Sequence, residues 1–390
     1  MRPSHPFSNR LPPRTDANAL SQAVTALRAD GVDIVDLTES NPTRAGFSYP
    51  PDILRGLSHA SALTYEPHPF GLRSAREAVA QDYARRGAPM DPDSIVLSAS
   101  TSESYSWLFK LLCNPGESVL VPQPSYPLFE HLTRLEGLHM SAYDLQYHGR
   151  WEIDLHSIAA APQTTRALLL VSPNNPTGSY VSAGELDAVI AVCRERRWAL
   201  IADEVFADYA LDEPTPITEI AARADVLSFT LGGASKSLGL PQVKLGWIVV
   251  GGPRLERDEA LIGLELIADM FLSVGTPVQV AAPELLHRGA EIRAAIHDRV
   301  KKNLGRAREI AQRYLSCEVL RVEGGWSAPV RVPATRGEEA LMLDLLQQER
   351  ILVHPGYFFD FPHEAFIVIS LLPEESIFAE AFTRILRFHS

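Results

Sequence analysis

The chain has 390 residues, 46% hydrophobic and 22% charged, which is more than one ordinary core and reads as a soluble two-domain protein. The formal charge of -12 and a pI near 5.5 argue against nucleic-acid and anionic-membrane partners. No stretch approaches eighteen consecutive apolar residues, so nothing in the sequence reads as a membrane span.

In chain order, the first fourteen residues are proline-rich and read as an extended arm, and residues 17–29 fit a short helix. Residues 32–37 fit a strand, followed by the turn-rich TESNPTRAGFSYP. Residues 72–86 carry apolar side chains at helical spacing and stop at Gly87. From Ser94 strands and helices alternate. SIVLSA, SVLVP, RALLLVS, WALIAD, DVLSFT and GWIVVGG are predicted strands; residues 103–112, YPLFEHLTRLEG and residues 184–197 are predicted helices. Short apolar strands separated by helices predict a mostly parallel sheet covered on both faces, a three-layer α/β/α domain over about 45–285. Residues 260–269 and 290–314 read as long helices. CEVLRV, SAPVRVP, a helix at 338–349, ILVHPG, AFIVISL and a last helix through Arg384 read as a smaller α+β C-terminal domain, 286–390. Residues 1–44 are expected to pack beside it. Cys113, Cys193 and Cys317 are far apart and form no CxxC, as in a reducing compartment. The start, MRPSHPFSNRLPPR, lacks the apolar run of a secretory signal, so a cytoplasmic location is expected.

The stretch FTLGGASKSLGLPQVKLGW places Lys236 among small and apolar residues, with Lys244 eight positions on. A bare ammonium in that setting is costly unless something uses it. Ser235 precedes Lys236, so this is no phosphate loop of the GxxxxGK[ST] kind, and no GxGxxG opens the first strand-to-helix turn. In parallel α/β sheets ligands sit at the carboxyl ends of strands. Those ends carry Ser100-Thr101-Ser102, Asn174-Asn175, Asp203-Glu204 and Lys236. They could deliver a phosphate nest, an amide, a carboxylate and an amine to one edge. Pyridoxal phosphate needs such a set: a lysine for a Schiff base, a carboxylate at the pyridine nitrogen and a phosphate cup. Tyr126, after SVLVP, could supply an aromatic face, and Lys244 positive charge at the phosphate.

From Asp36 onward the chain resembles the class I/II aminotransferases, the fold-type I pyridoxal-phosphate enzymes, whose fold is that of aspartate aminotransferase. The resemblance rests on the order of TYEPHPFGLRSAREAVAQDY, NPGESVLVPQPSYP, PNNPTG, IADEVF, SKSLGLPQVKLGW and VHPGYFF. It implies that Lys236 binds the cofactor covalently and later moves a proton, and that Asp203 pairs with the protonated ring nitrogen. It further implies that Asn175 bonds the ring hydroxyl, Tyr126 stacks on the ring, and Ser100, Thr101 and Ser102 hold the phosphate. Tyr65 matches a tyrosine that reaches the neighbouring subunit's phosphate, which implies a homodimer with active sites at the interface. No metal site is implied.

The sequence departs from the family at several positions. Phe206 stands where many relatives have tyrosine, so one donor to the ring oxygen is lost. Lys244 stands where arginine is common; it keeps the charge but not the fork geometry. Val368, in AFIVISLL, stands where an arginine usually clamps the substrate's α-carboxylate. Arg44, in SNPTRAG, is a candidate substitute. Ser40 replaces a glycine often found at that turn. His354, before a Pro-Gly turn, reads as structural.

The leading expectation is transamination between an amino acid or related amine and a 2-oxo acid by a ping-pong cycle. A lyase or decarboxylase on the same site is the nearest alternative, and the valine favours keeping it open. A non-enzymatic regulator is the alternative of another class. Against it stand the acidic balance and a stretch before Asp36 too short for a winged helix-turn-helix.

Overall fold

The computed structural model describes residues 8–12, 18–212, 220, 225–363 and 365–390. Most of the expected N-terminal arm and the first residue of its helix lie outside these. In chain order the elements begin with α1 (Ala19–Ala29), β1 (Val35–Asp36), α2 (Arg73–Arg85) and β2 (Ile95–Ser98). Next come α3 (Thr101–Leu112), β3 (Ser118–Gln123), α4 (Leu128–Leu135), β4 (His139–Tyr147), β5 (Trp151–Ile153) and α5 (Leu155–Ala159). β6 (Thr165–Val171), α6 (Ala183–Arg196), β7 (Ala199–Asp203), β8 (Ser228–Gly233), α7 (Ala234–Ser237) and β9 (Gly246–Gly251) follow. The rest is α8 (Arg254–Asp269), α9 (Thr276–Ala311), β10 (Glu318–Val319), β11 (Ser327–Arg331), α10 (Glu338–Glu349), β12 (Ile351–Leu352), β13 (His354–Pro355), β14 (Phe366–Ser370) and α11 (Glu375–Phe388).

Eight strands form the main sheet, in the order β2-β9-β8-β7-β6-β3-β4-β5. The pairs β8-β7, β7-β6, β6-β3 and β3-β4 are parallel. β9 runs antiparallel to both of its neighbours, β2 and β8. It follows that β2 and β8 run the same way, so β2, β8, β7 and β6 all end at one edge. Alternate residues of the strands feed different cores, as the twofold period requires. Leu169, Ile201, Phe229 and Ile248 pack with Trp107 and Phe109 of α3 and Leu264 of α8. Leu168, Leu170, Leu200 and Ala202 pack with Leu186 and Val189 of α6 on the other face. This is the three-layer α/β/α arrangement with a mostly parallel sheet.

A second, antiparallel sheet has the order β10-β11-β14-β13. The N-terminal segment returns to this region: β1 pairs in parallel with β12, and α1 packs against α10. α9 is one helix of 36 residues that runs through residues 285 and 286, where the sequence reading divides the domains. The helix expected from residue 290 extends upstream through Pro283 and Gly289, two residue types that disfavour a helix interior. Gly289 instead serves close packing: a Cβ there would lie 2.6 Å from Leu238 Cδ2. A bare backbone at that point lets α9 press on the loop that carries Lys236.

Candidate active site

β2, β6, β7 and β8 deliver their carboxyl ends to one cavity of about 590 Å³. Its lining includes Ser100, Thr101, Ser102, Tyr126, Asn175, Asp203 and Lys236, together with Ser40. Seven residues spread over 137 positions of sequence thus meet because five strand ends, those of β2, β3, β6, β7 and β8, share an edge.

α3 starts two residues earlier than its apolar spacing predicts, because capping sets the start. Ser100 is the N-cap and its hydroxyl accepts the Glu103 amide at 3.3 Å, while Glu103 Oε2 accepts the Ala99 amide at 2.7 Å. The backbone amides of that first turn, with the Thr101 and Ser102 hydroxyls, make a ready anion site at a helix N-terminus. The start of β9 crosses closely beneath it. Gly246 pairs with both Ser98 and Gly233, and a Cβ on it would come within 2.9 Å of Ser98 Oγ and 3.0 Å of the Ser100 carbonyl carbon. Only glycine leaves the turn where it is.

Asp203 ends β7 and is 8% exposed. Tyr105 donates to its Oδ2 at 2.6 Å and the Val205 amide to its Oδ1 at 3.1 Å. Burial raises its pKa, while Tyr105, Val205 and the charge on Lys236 act the other way. Lys236 sits in α7, directly after β8, and its amine lies 5.0 Å from the Trp326 ring centroid and 5.6 Å from that of Phe206. Burial pushes its pKa down to about 8, against the opposing pull of Asp203. Its backbone is pinned. Tyr209 Oη donates to the Lys236 carbonyl at 2.6 Å, Ser237 Oγ to the Gly233 carbonyl at 3.0 Å, and Tyr49 Oη to the Gly239 carbonyl at 2.7 Å. Of the two neighbouring asparagines, Asn174 Nδ2 ties two loops together, donating to the Pro124 carbonyl and Thr177 Oγ1. Asn175 is the one that lines the cavity.

Three expected residues are not brought to the cavity wall. Lys244 is exposed, with φ 58°, at the end of a short 3-10 turn. Arg44 is exposed on the turn Pro42–Arg44. Tyr65 is 68% exposed and borders a separate groove with Trp107 and Leu272. Conversely, Tyr105, Trp326 and His354 line the cavity. Sequence spacing assigns no role to the first two and reads His354 as structural. Tyr105 had a findable signal: it lies one helical turn after Thr101, facing the same sheet edge.

The donor set fits pyridoxal phosphate. A buried carboxylate, a buried amine of lowered pKa, a free amide and an anion-binding helix start face one space, and the glycine at 246 leaves room for the cradle.

Comparison with known proteins agrees. The family described as aminotransferase class I and II matches residues 32–381, so the chain belongs to the class I and II aminotransferases. It is 28% identical over 377 residues to the glutamate-pyruvate aminotransferase AlaA of Haemophilus influenzae, covering 93% of this chain and 92% of that protein. It is 29% identical to the alanine aminotransferase of Mycobacterium bovis, covering 94% and 88%. A solved aminotransferase structure from Escherichia coli superposes with a TM-score of 0.86 at 26% identity, covering 98% of this chain and 99% of that one. The fold is therefore fold type I, and membership implies a pyridoxal-phosphate-dependent aminotransferase.

Proposed function

We propose that this chain transfers an amino group from an amino acid or related amine to a 2-oxo acid by a ping-pong cycle, and that Lys236 and Asp203 are its catalytic residues. The observation that carries this is the pairing of a buried carboxylate and an amine of lowered pKa on one cavity that also holds a helix N-terminus. Pyridoxal phosphate, when bound, supplies an electron sink for the bond broken at the substrate carbon. Lys236 Nζ would hold the cofactor and, when free, would move a proton at the substrate carbon. Its lowered pKa keeps the amine available as a base near neutral pH. Asp203, oriented by Tyr105 and Val205, would pair with the protonated ring nitrogen. Asn175 would bond the ring hydroxyl and Tyr126 would cover the ring. Ser100, Thr101, Ser102 and the α3 amides would hold the phosphate, with Lys244 supplying longer-range positive charge.

The same reading includes a homodimer in the cytoplasm, with Tyr65 serving the site of the other subunit. Two features support the homodimer. Tyr65 is largely exposed, and α8 presents Leu255, Ile262 and Leu266 to solvent along one stripe that Met270, directly after the helix, continues. A contiguous exposed apolar stripe of this kind fits a contact face with a second copy. Among the described residues no helix is long and apolar enough to cross a membrane.

A lyase or decarboxylase reading is favoured by one observation. Val368 lines the cavity, and no arginine does among the described residues. A single-turnover experiment separates the two: loaded protein is mixed with an amino acid panel and no acceptor. Transamination predicts one equivalent of oxo acid and of aminated cofactor. Multiple turnovers releasing carbon dioxide or ammonia, without aminated cofactor, would instead establish the lyase or decarboxylase.

A further inference from the structure

One wall of the cavity is built by the small sheet, and its chemistry is unlike that of a wall with a guanidinium. β13 and β14 pair so that His354 stands directly across from Val368. Directly opposed residues share a face, and both line the cavity. β11 pairs with β14 so that Ser327 stands across from Ser370, and these two also line it. His354, Ser327 and Ser370 therefore form a polar strip around one apolar position.

Most polar groups of this wall are already engaged. Ser370 Oγ donates to the Glu39 carbonyl at 2.6 Å, and Thr38 Oγ1 to Asp36 Oδ1 at 2.5 Å. His354 and Ser327 have no side-chain hydrogen-bond partner among the described residues. The imidazole is held by rings, not by polar partners: it stacks on Phe358 at 5.3 Å and 8°, and meets Phe359 edge-on at 5.5 Å. Its orientation is thus fixed while its nitrogens stay free to bond. Burial lowers its pKa, Asp36 on β1 opposes that, and Asp203 and Lys236 are the other charged residues on the cavity wall. A neutral imidazole still donates one hydrogen bond, and an anion placed beside it favours its protonation.

We propose that His354, with Ser327 beside it, receives the carboxylate of an α-amino acid donor and so determines specificity. The naming of an amino-acid donor rests on the transamination reading of the same cavity. Phe358, Phe359, Trp326 and Tyr126 surround the strip, so the donor carries an apolar or aromatic side chain. This wall offers no second cation for a dicarboxylic side chain.

The test uses the full chain loaded with pyridoxal phosphate. Titration calorimetry with 3-phenylpropionate and 4-methylpentanoate, acids that cannot react, measures the carboxylate site without any turnover. Binding by the unaltered protein, weakened about 10- to 100-fold in His354→Phe and less in His354→Gln, is expected from loss of a hydrogen bond to a charged group. Kinetics with L-phenylalanine and 2-phenylethylamine give the second arm. His354→Phe should raise KM for the amino acid by a similar factor and leave the amine unchanged. An equal loss on both donors, or no loss on either, overturns the proposal. Failure of both acids to bind the unaltered protein overturns it too, even if transamination of an amine is observed. If acids bind in a His354-dependent way but no donor is transaminated, the carboxylate site stands and the transamination reading fails. Should His354→Phe not fold, the imidazole proton resonance of His354, assigned by its loss in His354→Gln, must shift on addition of 3-phenylpropionate. Absence of a shift overturns the proposal.

Discussion

Tyr105 donates to Asp203 Oδ2 at 2.6 Å, and both groups are buried. The tyrosine comes from the helix whose first turn would hold the cofactor's phosphate, so one element reaches both ends of the ring. Removing the phenol leaves the carboxylate with the Val205 amide alone, which moves the Asp203 pKa further up and disfavours its ionised form. Tyr105→Phe should lower kcat about 10- to 100-fold, the range for a hydrogen bond to a charged group, and weaken retention of pyridoxal phosphate. Steady-state kinetics and equilibrium dialysis of the cofactor check this. An unchanged kcat would mean that Asp203 does not need the second donor.

The lowered pKa of Lys236 sets the pH at which the free protein takes up its cofactor. Only the neutral amine attacks a carbonyl. The rate of pyridoxal phosphate capture should therefore rise with pH and level off above about 8, rather than near the 10.5 of an ordinary lysine. Because the folded pKa is depressed, the unfolded chain binds more protons between those values, so this group adds stability as pH rises through that window and removes it as pH falls. Stopped-flow mixing at a series of pH values checks the first statement. Urea titrations at the same values check the second.

Gly246 and Gly305 form a contrasting pair. A Cβ at 246 would meet the Ser100 backbone at 3.0 Å, whereas one at 305 meets nothing within 4 Å. Gly246→Ala should weaken cofactor binding about tenfold or more, because the α3 amides must shift away from the phosphate. Gly305→Ala lies in α9 and should raise stability by up to about 1 kcal/mol with binding unchanged. Cofactor titration and thermal melts of both variants separate the outcomes.

A buried charge cluster braces the loop after Asp203. Arg293 lies 3.5 Å from Asp82 and 3.7 Å from Asp208, and it also donates to the Ser237 carbonyl at 3.4 Å. Arg85 bonds the same two aspartates. Arg293→Met removes one of the two cations bonded to these aspartates and leaves them with Arg85 and the more distant Arg86, which should cost about 3–5 kcal/mol. Urea denaturation measures it, and a loss under 1 kcal/mol would show that Arg85 alone suffices.

The exposed stripe of α8 predicts the assembly. Ile262 and Leu266 are 68% and 67% exposed. Replacing both with aspartate should convert a dimer into monomers in sedimentation velocity, with loss of activity if Tyr65 serves the other subunit. A monomeric unaltered protein would remove the shared-site account.

Legibility from sequence followed burial. Strands buried on both faces, such as RALLLVS and WALIAD, are continuous apolar runs and read directly. β4 and β5 carry no clear strand signal, because HMSAYDLQY is alternately exposed near the sheet edge and breaks its apolar pattern with polar residues. α9 starts upstream of the expected residue 290: Pro283 and Gly289 disfavour a helix interior locally, and only packing against Leu238 explains the glycine. In the site, residues at strand ends were legible because the parallel sheet sends its carboxyl ends to one edge. His354 and Trp326 are not, because their place depends on strand pairing between segments far apart in the chain, whereas Tyr105 is signalled only by its helical spacing from Thr101.

The most direct test of the central claim is reduction of the pyridoxal-phosphate-loaded protein with borohydride, followed by digestion and mass spectrometry. The account predicts a pyridoxyl addition on the peptide containing Lys236 and its loss in Lys236→Ala. Addition at Lys244 or another lysine, or no addition at all, would contradict it.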